Sequence, residues 1–154
     1  TGNISASTRF RIMQKTRFHF CQNQLFEYPE LITLDMNACP DIAQTLCVTA
    51  TALKIPFEIT GLHTLKVKET DRLVALQNEL LKIGAKTHIT VEKIESSEFI
   101  EPEENISIAT YKDHRMAMAF APFALIKELN IEDEDVVEKS YPEFWEDFAK
   151  VTTS

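Results

Sequence analysis

Lys68-Glu69-Thr70-Asp71-Arg72 stands directly before Leu73, Leu76, Leu80 and Ile83, and this stretch decides how the 154-residue chain is read. The apolar series has the 3.6-residue period of an amphipathic helix, which predicts a helix from about Glu69 to Ile83. Gly84 falls just past the last periodic residue, the usual C-terminal stop. A second charged cluster, Asp113-His114-Arg115, precedes Met116, Phe120, Phe123 and Ile126 in the same way and predicts a helix from about Asp113 to Lys127. Both clusters therefore fall in first turns, where the amide dipoles point positive and favour acids over cations. Arg72 and Arg115 are locally misplaced unless something anionic neutralises them. One source is ordinary: Arg72 with Asp71 or Glu69, and Arg115 with Asp113, as solvated ion pairs worth little. The other is a ligand, since a helix start with added Arg or Lys makes a phosphate or carboxylate site. Two such starts in one small chain point to a doubly anionic ligand.

Outward from these helices, the chain alternates strand and helix signals. Phe18 and Phe20 alternate with Arg17 and His19, and Leu31-Ile32-Thr33-Leu34 reads as a further strand. Pro40-Asp41 opens a helix with Ile42, Leu46, Thr49 and Leu53 on one face, ended by Pro56. Phe57-Glu58-Ile59-Thr60 is a short strand broken by Gly61, and Val67 closes an extended segment. Strands are predicted at Thr87–Val91 and around Ile106–Ala109, and a brief extended piece begins at Ile131. Pro122 should kink the third helix, because it removes one backbone donor. Tyr141-Pro142 opens a last helix with Phe144, Trp145 and Phe148 on its apolar side. The whole, residues 1–154, reads as one α/β domain with a loose internal repeat, in which Arg72 and Arg115 occupy similar places.

Composition narrows the function classes. Hydrophobic residues make up 44%, enough for a real core. Twenty-four acids against 16 bases leave a net charge of −8, which argues against nucleic acid or an anionic membrane as partner. The longest uncharged apolar run, Met116 to Ile126, is far short of the roughly 20 residues needed to span a bilayer, and no signal peptide is visible. Cys21, Cys39 and Cys47 have no metal-ligand spacing and leave one unpaired in any disulfide scheme. They read as small buried hydrophobes in a reducing cytoplasm. The four His make no metal site, three Gly make no phosphate loop, and the acidic runs Glu101–Glu104 and Glu132–Asp135 read as solvated loops. The start at Thr1 hints at a segment of a longer chain or at processing.

Four helix starts carry ionisable residues: Asp41, then Lys68 to Arg72, then Asp113 to Arg115, then Lys139 just before Pro142. If the helices run roughly parallel, one face gathers several cations and at least two carboxylates. Cations could bind phosphate and carboxylate groups, and carboxylates tuned by such neighbours can move protons. These same residues carry a family resemblance. Leu65-Lys66-Val67-Lys68-Glu69-Thr70-Asp71-Arg72-Leu73 with Gly84-Ala85 resembles the C-terminal signature of the 5-enolpyruvylshikimate-3-phosphate synthases. Asp113-His114-Arg115-Met116-Ala117-Met118 resembles a second block, Asp35-Met36-Asn37 with Pro40-Asp41 a third, and Lys139-Ser140-Tyr141-Pro142 with Phe144 a fourth.

The resemblance covers about residues 31–150 and implies a fold of repeated βαββαβ units with parallel helices, about two units being present. It implies transfer of the enolpyruvyl group of phosphoenolpyruvate to the 5-hydroxyl of shikimate 3-phosphate, releasing phosphate, in the pathway to chorismate and the aromatic amino acids. No metal or organic cofactor is implied, and the enzyme would be a cytoplasmic monomer. Asp41 matches the carboxylate that contacts the shikimate and accepts the 5-hydroxyl proton. Lys68 matches a contact to its 3-phosphate. Glu69 matches the acid that protonates and then deprotonates the methylene carbon. Arg72, Arg115 and Lys139 match the cations that hold phosphoenolpyruvate. Asp71, Asp113 and His114 would support these from behind. Thr64 departs from a polar amide found in some members. The family's N-terminal domain, with its own phosphate-binding cations, has no counterpart here, so the chain is expected to be part of a C-terminal domain and inactive alone. Two other readings stay open. One is enolpyruvyl transfer to a UDP-amino sugar. The other is a non-catalytic anion-binding domain of the same fold.

Overall fold

The computed structural model describes residues 28–65 and 71–152. The strand expected near Phe18, the thiol of Cys21, and Lys68 and Glu69 lie outside the described residues.

The first strand, β1 (Ile32–Asp35), pairs in parallel with β2 (Phe57–Thr60), Ile32 standing opposite Phe57 and Asp35 opposite Thr60. Parallel strands need a crossover. Here it is a short 3-10 turn, Pro40–Ile42, running into helix α1 (Ala43–Ala52). β2 buries Phe57 and Ile59 and leaves Glu58 and Thr60 partly exposed, the alternation of a strand with one covered face. After a 3-10 turn at His63–Leu65 comes α2 (Arg72–Lys82), then a hairpin of β3 (Ala85–Ile89) and β4 (Ile94–Phe99). The hairpin folds back so that β4 lies between β2 and β3, giving the sheet order β1-β2-β4-β3 with both of β4's pairings antiparallel. A second, two-stranded parallel sheet joins β5 (Ile106–Ile108) to β6 (Leu129–Ile131) through α3 (His114–Phe120) and a 3-10 turn, Ala121–Leu125. A 3-10 turn at Glu134–Val137 precedes α4 (Phe144–Thr152).

The α/β class and the repeated build expected from the sequence are both present. Along the chain the described elements run β-α-β-α-β-β and then begin again as β-α-β-α, where the resemblance implied β-α-β-β-α-β. Among the described elements a single strand thus separates α1 from α2, and three separate α2 from α3.

The core follows the helix periodicity in α2. Leu73, Leu76, Leu80 and Ile83 are all buried, together with Met116, Phe120 and Phe123 from the α3 segment. α1 differs from expectation. Ile42 and Leu53 are 51% and 46% exposed, and the inward face is Ala43, Cys47, Val48 and Ala50. α1 packs against α3 with an inward face of mostly small side chains; Leu46 is partly buried against the core, while Ile42 and Leu53, just beyond the two ends of the helix, stay exposed. Pro122 acts as expected but more sharply than a kink: the α-helix ends at Phe120 and the chain tightens into Ala121–Leu125. The changed pitch carries Ile126 off the buried face, and it is exposed rather than core. β4 was not located from sequence, because Ile94-Glu95-Ser96-Ser97-Glu98-Phe99 has little apolar alternation. Its place between two strands makes it a strand, and buried Ser96 is satisfied by donating to the Lys86 carbonyl at 2.8 Å.

One further expectation is corrected in part. Cys47 is buried as a small hydrophobe, but Cys39 is exposed, because it precedes Pro40 in the surface turn. The aromatic side of α4 gathers Phe144, Trp145 and Phe148, as expected, and is half-buried: Phe144 lies 4.9 Å from Trp145 and 5.8 Å from Phe148 between ring centroids, and no α4 residue is fully buried. The acidic runs are mostly exposed, as expected. Among the described residues no helix is long and apolar enough to cross a membrane.

Two measurements test this packing. Gly61 has φ +76°, and a Cβ there would lie 2.5 Å from both the Asn37 nitrogen and an Asp35 carboxylate oxygen. Gly61→Ala should therefore cost about 2 kcal/mol or more in urea denaturation, since both the backbone angle and the space oppose it. A loss under about 0.5 kcal/mol, the usual range for harmless surface changes, would contradict the close approach. Separately, burial pushes the Cys47 thiol far above its ordinary pKa, leaving no thiolate at neutral pH. Iodoacetamide under native conditions should label Cys39 and spare Cys47 by mass mapping. Equal labelling of the two would show that α1 is not packed as described.

Candidate functional site

The site is assembled where three segments of the chain enter helices. The first begins at Asp35, whose Oδ1 accepts from the Asn37 backbone N–H at 3.0 Å and from Asn37 Nδ2 at 2.7 Å. Met36 N–H donates to the Thr60 carbonyl at 2.9 Å, which ties this turn to the end of β2. Gly61 leaves room for it. The chain is thereby delivered to Pro40 and then to Asp41, whose carboxylate stands half-exposed at the entry to α1.

The second segment is described from Asp71, which caps α2 by accepting from the N–H groups of Leu73 at 3.1 Å and Val74 at 3.3 Å. Asp71 is thus engaged by the backbone, and Arg72, the first residue of α2, finds its partners elsewhere. Arg72 Nε lies 3.2 Å from Asp113 Oδ2, and Arg72 Nη1 lies 3.6 Å from Asp41 Oδ1.

The third turn ends at Asp113, which caps α3 by accepting from the Arg115 N–H at 2.9 Å. Arg115 Nη2 donates to Asp41 Oδ2 at 3.2 Å, and its Nη1 lies 3.8 Å from Asp113 Oδ1. Two aspartates and two arginines from three helix starts therefore form one ring of contacts. The starts of α1, α2 and α3 share one face, as expected from the charged clusters. The pairing crosses between elements, and Asp113, assigned a supporting place from sequence, is in contact with both arginines.

The environment distinguishes this ring from a surface ion pair. The Asp113 and Arg72 side chains are 9% and 17% exposed, whereas Asp41 opens to solvent at 51%. Arg72 Nη1 and Asp113 Oδ2 are buried and have no hydrogen-bond partner among the described residues, since their ion contacts lack hydrogen-bond geometry. The Thr110 hydroxyl and both amide atoms of Gln44, at the start of α1, are likewise buried without one. An unmet donor on a buried guanidinium is costly, and a bound anion is a chemically suitable partner for it.

The other candidates from the sequence stand apart from the ring. Lys139 is exposed in the turn after Glu134–Val137, and among the described residues no ion pair joins it to the ring. Lys68 and Glu69 lie outside the described residues. His114 Nδ1 is 3.9 Å from Asp113 Oδ1, too far for a hydrogen bond. Thr64 is exposed in the turn His63–Leu65. Among the described residues no three His, Cys, Asp or Glu gather in a way that could hold a metal ion.

Sequence reasoning missed Glu79 and Tyr111. Tyr111 and Lys112 have φ +53° and +57°, the left-handed region, immediately before Asp113. Each such non-glycine residue costs on the order of 1–3 kcal/mol and needs surrounding structure to hold it. Glu79 supplies part of that hold. Its sequence signal was its spacing, three residues after Leu76 and four before Ile83, which puts a carboxylate on the apolar face of α2.

The family model described as EPSP synthase (3-phosphoshikimate 1-carboxyvinyltransferase) matches residues 10–148. A 3-phosphoshikimate 1-carboxyvinyltransferase of Bacteroides fragilis is 45% identical over 124 residues, covering 79% of this chain and 30% of its own length. Proteins of the same name from Methanospirillum hungatei and Clostridium kluyveri are each 40% identical, covering 78% and 76% of this chain and 28% of their own. The chain thus spans about 30% of the length of these relatives. With a match over most of its residues, and with the starts of α1, α2 and α3 meeting at one face, the chain belongs to the EPSP synthase family.

Proposed function

We propose that this chain forms one wall of an enolpyruvyl-transfer site that joins phosphoenolpyruvate to the 5-hydroxyl of shikimate 3-phosphate. The observation that carries the reading is Asp41 standing between Arg72 and Arg115, at 3.6 and 3.2 Å. This places a candidate proton acceptor beside two candidate anion-binding groups. The phosphate and carboxylate of phosphoenolpyruvate take guanidinium donors that now face Asp41 or have no hydrogen bond among the described residues. Asp41, relieved of part of that contact, accepts the proton of the attacking hydroxyl.

In this reading Glu69 gives a proton to the methylene carbon of phosphoenolpyruvate as the hydroxyl oxygen bonds to the neighbouring carbon. The tetrahedral intermediate carries a methyl, a carboxylate, a phosphate and the new ether on one carbon. Glu69 then takes a proton back from the methyl as the C–O bond to phosphate breaks, restoring the double bond. Arg72, Arg115 and Lys139 stabilise the charge on the departing phosphate, and Lys68 holds the 3-phosphate of the acceptor. Both substrates need a second wall. Relatives of this name are about three times longer, so catalysis is assigned to the protein that includes that wall, and the chain by itself is inactive.

Two experiments test this reading. Titrating inorganic phosphate into the chain should shift backbone amides at residues 71–73 and 113–116 in NMR spectra, weakly and less so as salt rises, because an open site is screened. Shifts confined to other regions, or measurable synthase turnover by the chain alone, would contradict it. In the complete two-domain protein, Glu69→Gln should lower kcat by about 10²–10⁴ while substrate affinity changes far less. Normal turnover in that variant would remove Glu69 from the chemistry.

A further inference from the structure

We infer that Glu79 and Tyr111 are positioning residues: their hydrogen bond holds the left-handed pair Tyr111–Lys112 and thereby sets Asp113 and Arg115 against Arg72. The inference deepens the anion-site reading above and rests on it for its ligand.

Glu79 is buried on α2, seven residues after Arg72, so its position is fixed to that arginine by one rigid helix. Each of its oxygens is engaged. Oε1 accepts from the Tyr111 hydroxyl at 2.9 Å. Oε2 accepts from the Ala109 N–H at 3.0 Å and from Lys82 Nζ at 2.7 Å. Lys82 Nζ also donates to the Ser107 carbonyl at 2.8 Å. Three successive odd-numbered positions, 107, 109 and 111, are therefore fastened to α2 as β5 runs out toward α3. Removing Glu79 would leave the Ala109 amide and the Lys82 ammonium without this acceptor, which is why a carboxylate is tolerated on a face otherwise made of leucines.

The fastening matters because it lies at the root of a strained turn. Tyr111 and Lys112 both hold positive φ, a conformation that side chains with Cβ resist and that glycine adopts freely. The next residue is Asp113, whose N–H donates to the Thr110 carbonyl at 2.9 Å and whose carboxylate contacts both arginines. If the pair relaxed toward negative φ, the direction of the chain entering α3 would change and Asp113 would leave Arg72. Tyr111 is the one member of the pair whose side chain reaches α2 among the described contacts. Its hydroxyl also titrates above its ordinary range, from burial first and from its bond to Glu79 second, so it remains a donor at neutral pH.

The test uses the full 154-residue chain, with Tyr111→Phe keeping the ring and removing only the hydroxyl. ¹⁵N NMR should show the amides of Asp113 and Arg115 and the Nε–H signals of Arg72 and Arg115 displaced, with β1, β2 and β4 unchanged. Affinity for inorganic phosphate should fall about three- to tenfold, the range expected for loss of one hydrogen bond. Adding Lys112→Gly should restore much of that affinity and return the arginine signals toward wild type, because glycine holds the left-handed angle without the tether. Ile94→Val in β4, a stability control, should move none of these signals. Unchanged Asp113 and arginine signals in Tyr111→Phe would overturn the proposal, as would a loss that Lys112→Gly fails to repair. If the wild-type chain binds no phosphate, the anion-site reading fails by itself. The arginine signals still decide whether Tyr111 positions Asp113.

Discussion

The Asp113 carboxylate is the interaction on which the site depends. One side chain terminates a turn, caps a helix and faces two arginines from different elements. Capping alone would be worth about 1 kcal/mol and could be served by Ser, Thr or Asn. Those residues carry no charge, and in a nearly buried position Arg72 needs one. A cation so poorly hydrated, at a helix start whose dipole opposes it, is stable only beside a fixed anion. Asp113 is that anion, and the turn before it must therefore be held even though two of its residues take positive φ.

The two aspartate caps divide the labour between them. Asp71 commits its Oδ1 to two backbone amides of α2 and pairs with no arginine among the described residues. Asp113 gives one amide of α3 an acceptor and keeps the remainder of its carboxylate for side chains. This difference arises from spacing. Arg72 comes directly after its cap and is aimed away from it, across to α3, while Arg115 comes two residues after its own and reaches both Asp113 and Asp41. The internal repeat visible in the sequence is thus a repeat of helix starts rather than of contacts.

Much of this was legible without coordinates. The α2 face of Leu73, Leu76, Leu80 and Ile83 needed only the helical period, and the joint address of Asp41, Arg72 and Arg115 came from charged residues placed where helix dipoles disfavour cations. What was not legible depended on distances between segments. On α1 the period puts Ile42, Leu46 and Leu53 on one face, but of these only Leu46 packs against the core, and the fully buried positions are smaller, Ala43, Cys47 and Ala50 among them. Ile126 keeps the period past Pro122, yet the tighter turn rotates it outward. β4 is a strand because of its neighbours and not its residues. Glu79 reads as one more surface glutamate unless its place among the leucines is weighed, and only the fold brings Tyr111 to it.

The ring of two aspartates and two arginines is formally neutral, and this bears on how a ligand could enter an acidic chain. A bare pair of arginines on this face would repel each other and loosen the meeting of three helix starts. Asp41 removes that repulsion, and it does so from the exposed side, where its own desolvation is small. In the proposed function, an anion arriving from solvent meets Asp41 first, as competitor and as gate. It gains access to Arg115 by taking over donors that Asp41 now holds at 3.2 Å, and to Arg72 by meeting an Nη1 that has no hydrogen bond among the described residues. Asp113, behind both arginines and nearly buried, is not displaced in this exchange. On the proposed function, a site arranged in this order keeps its cations in place when empty and would free one carboxylate, Asp41, when filled, which is the carboxylate the proposed chemistry assigns to the acceptor hydroxyl.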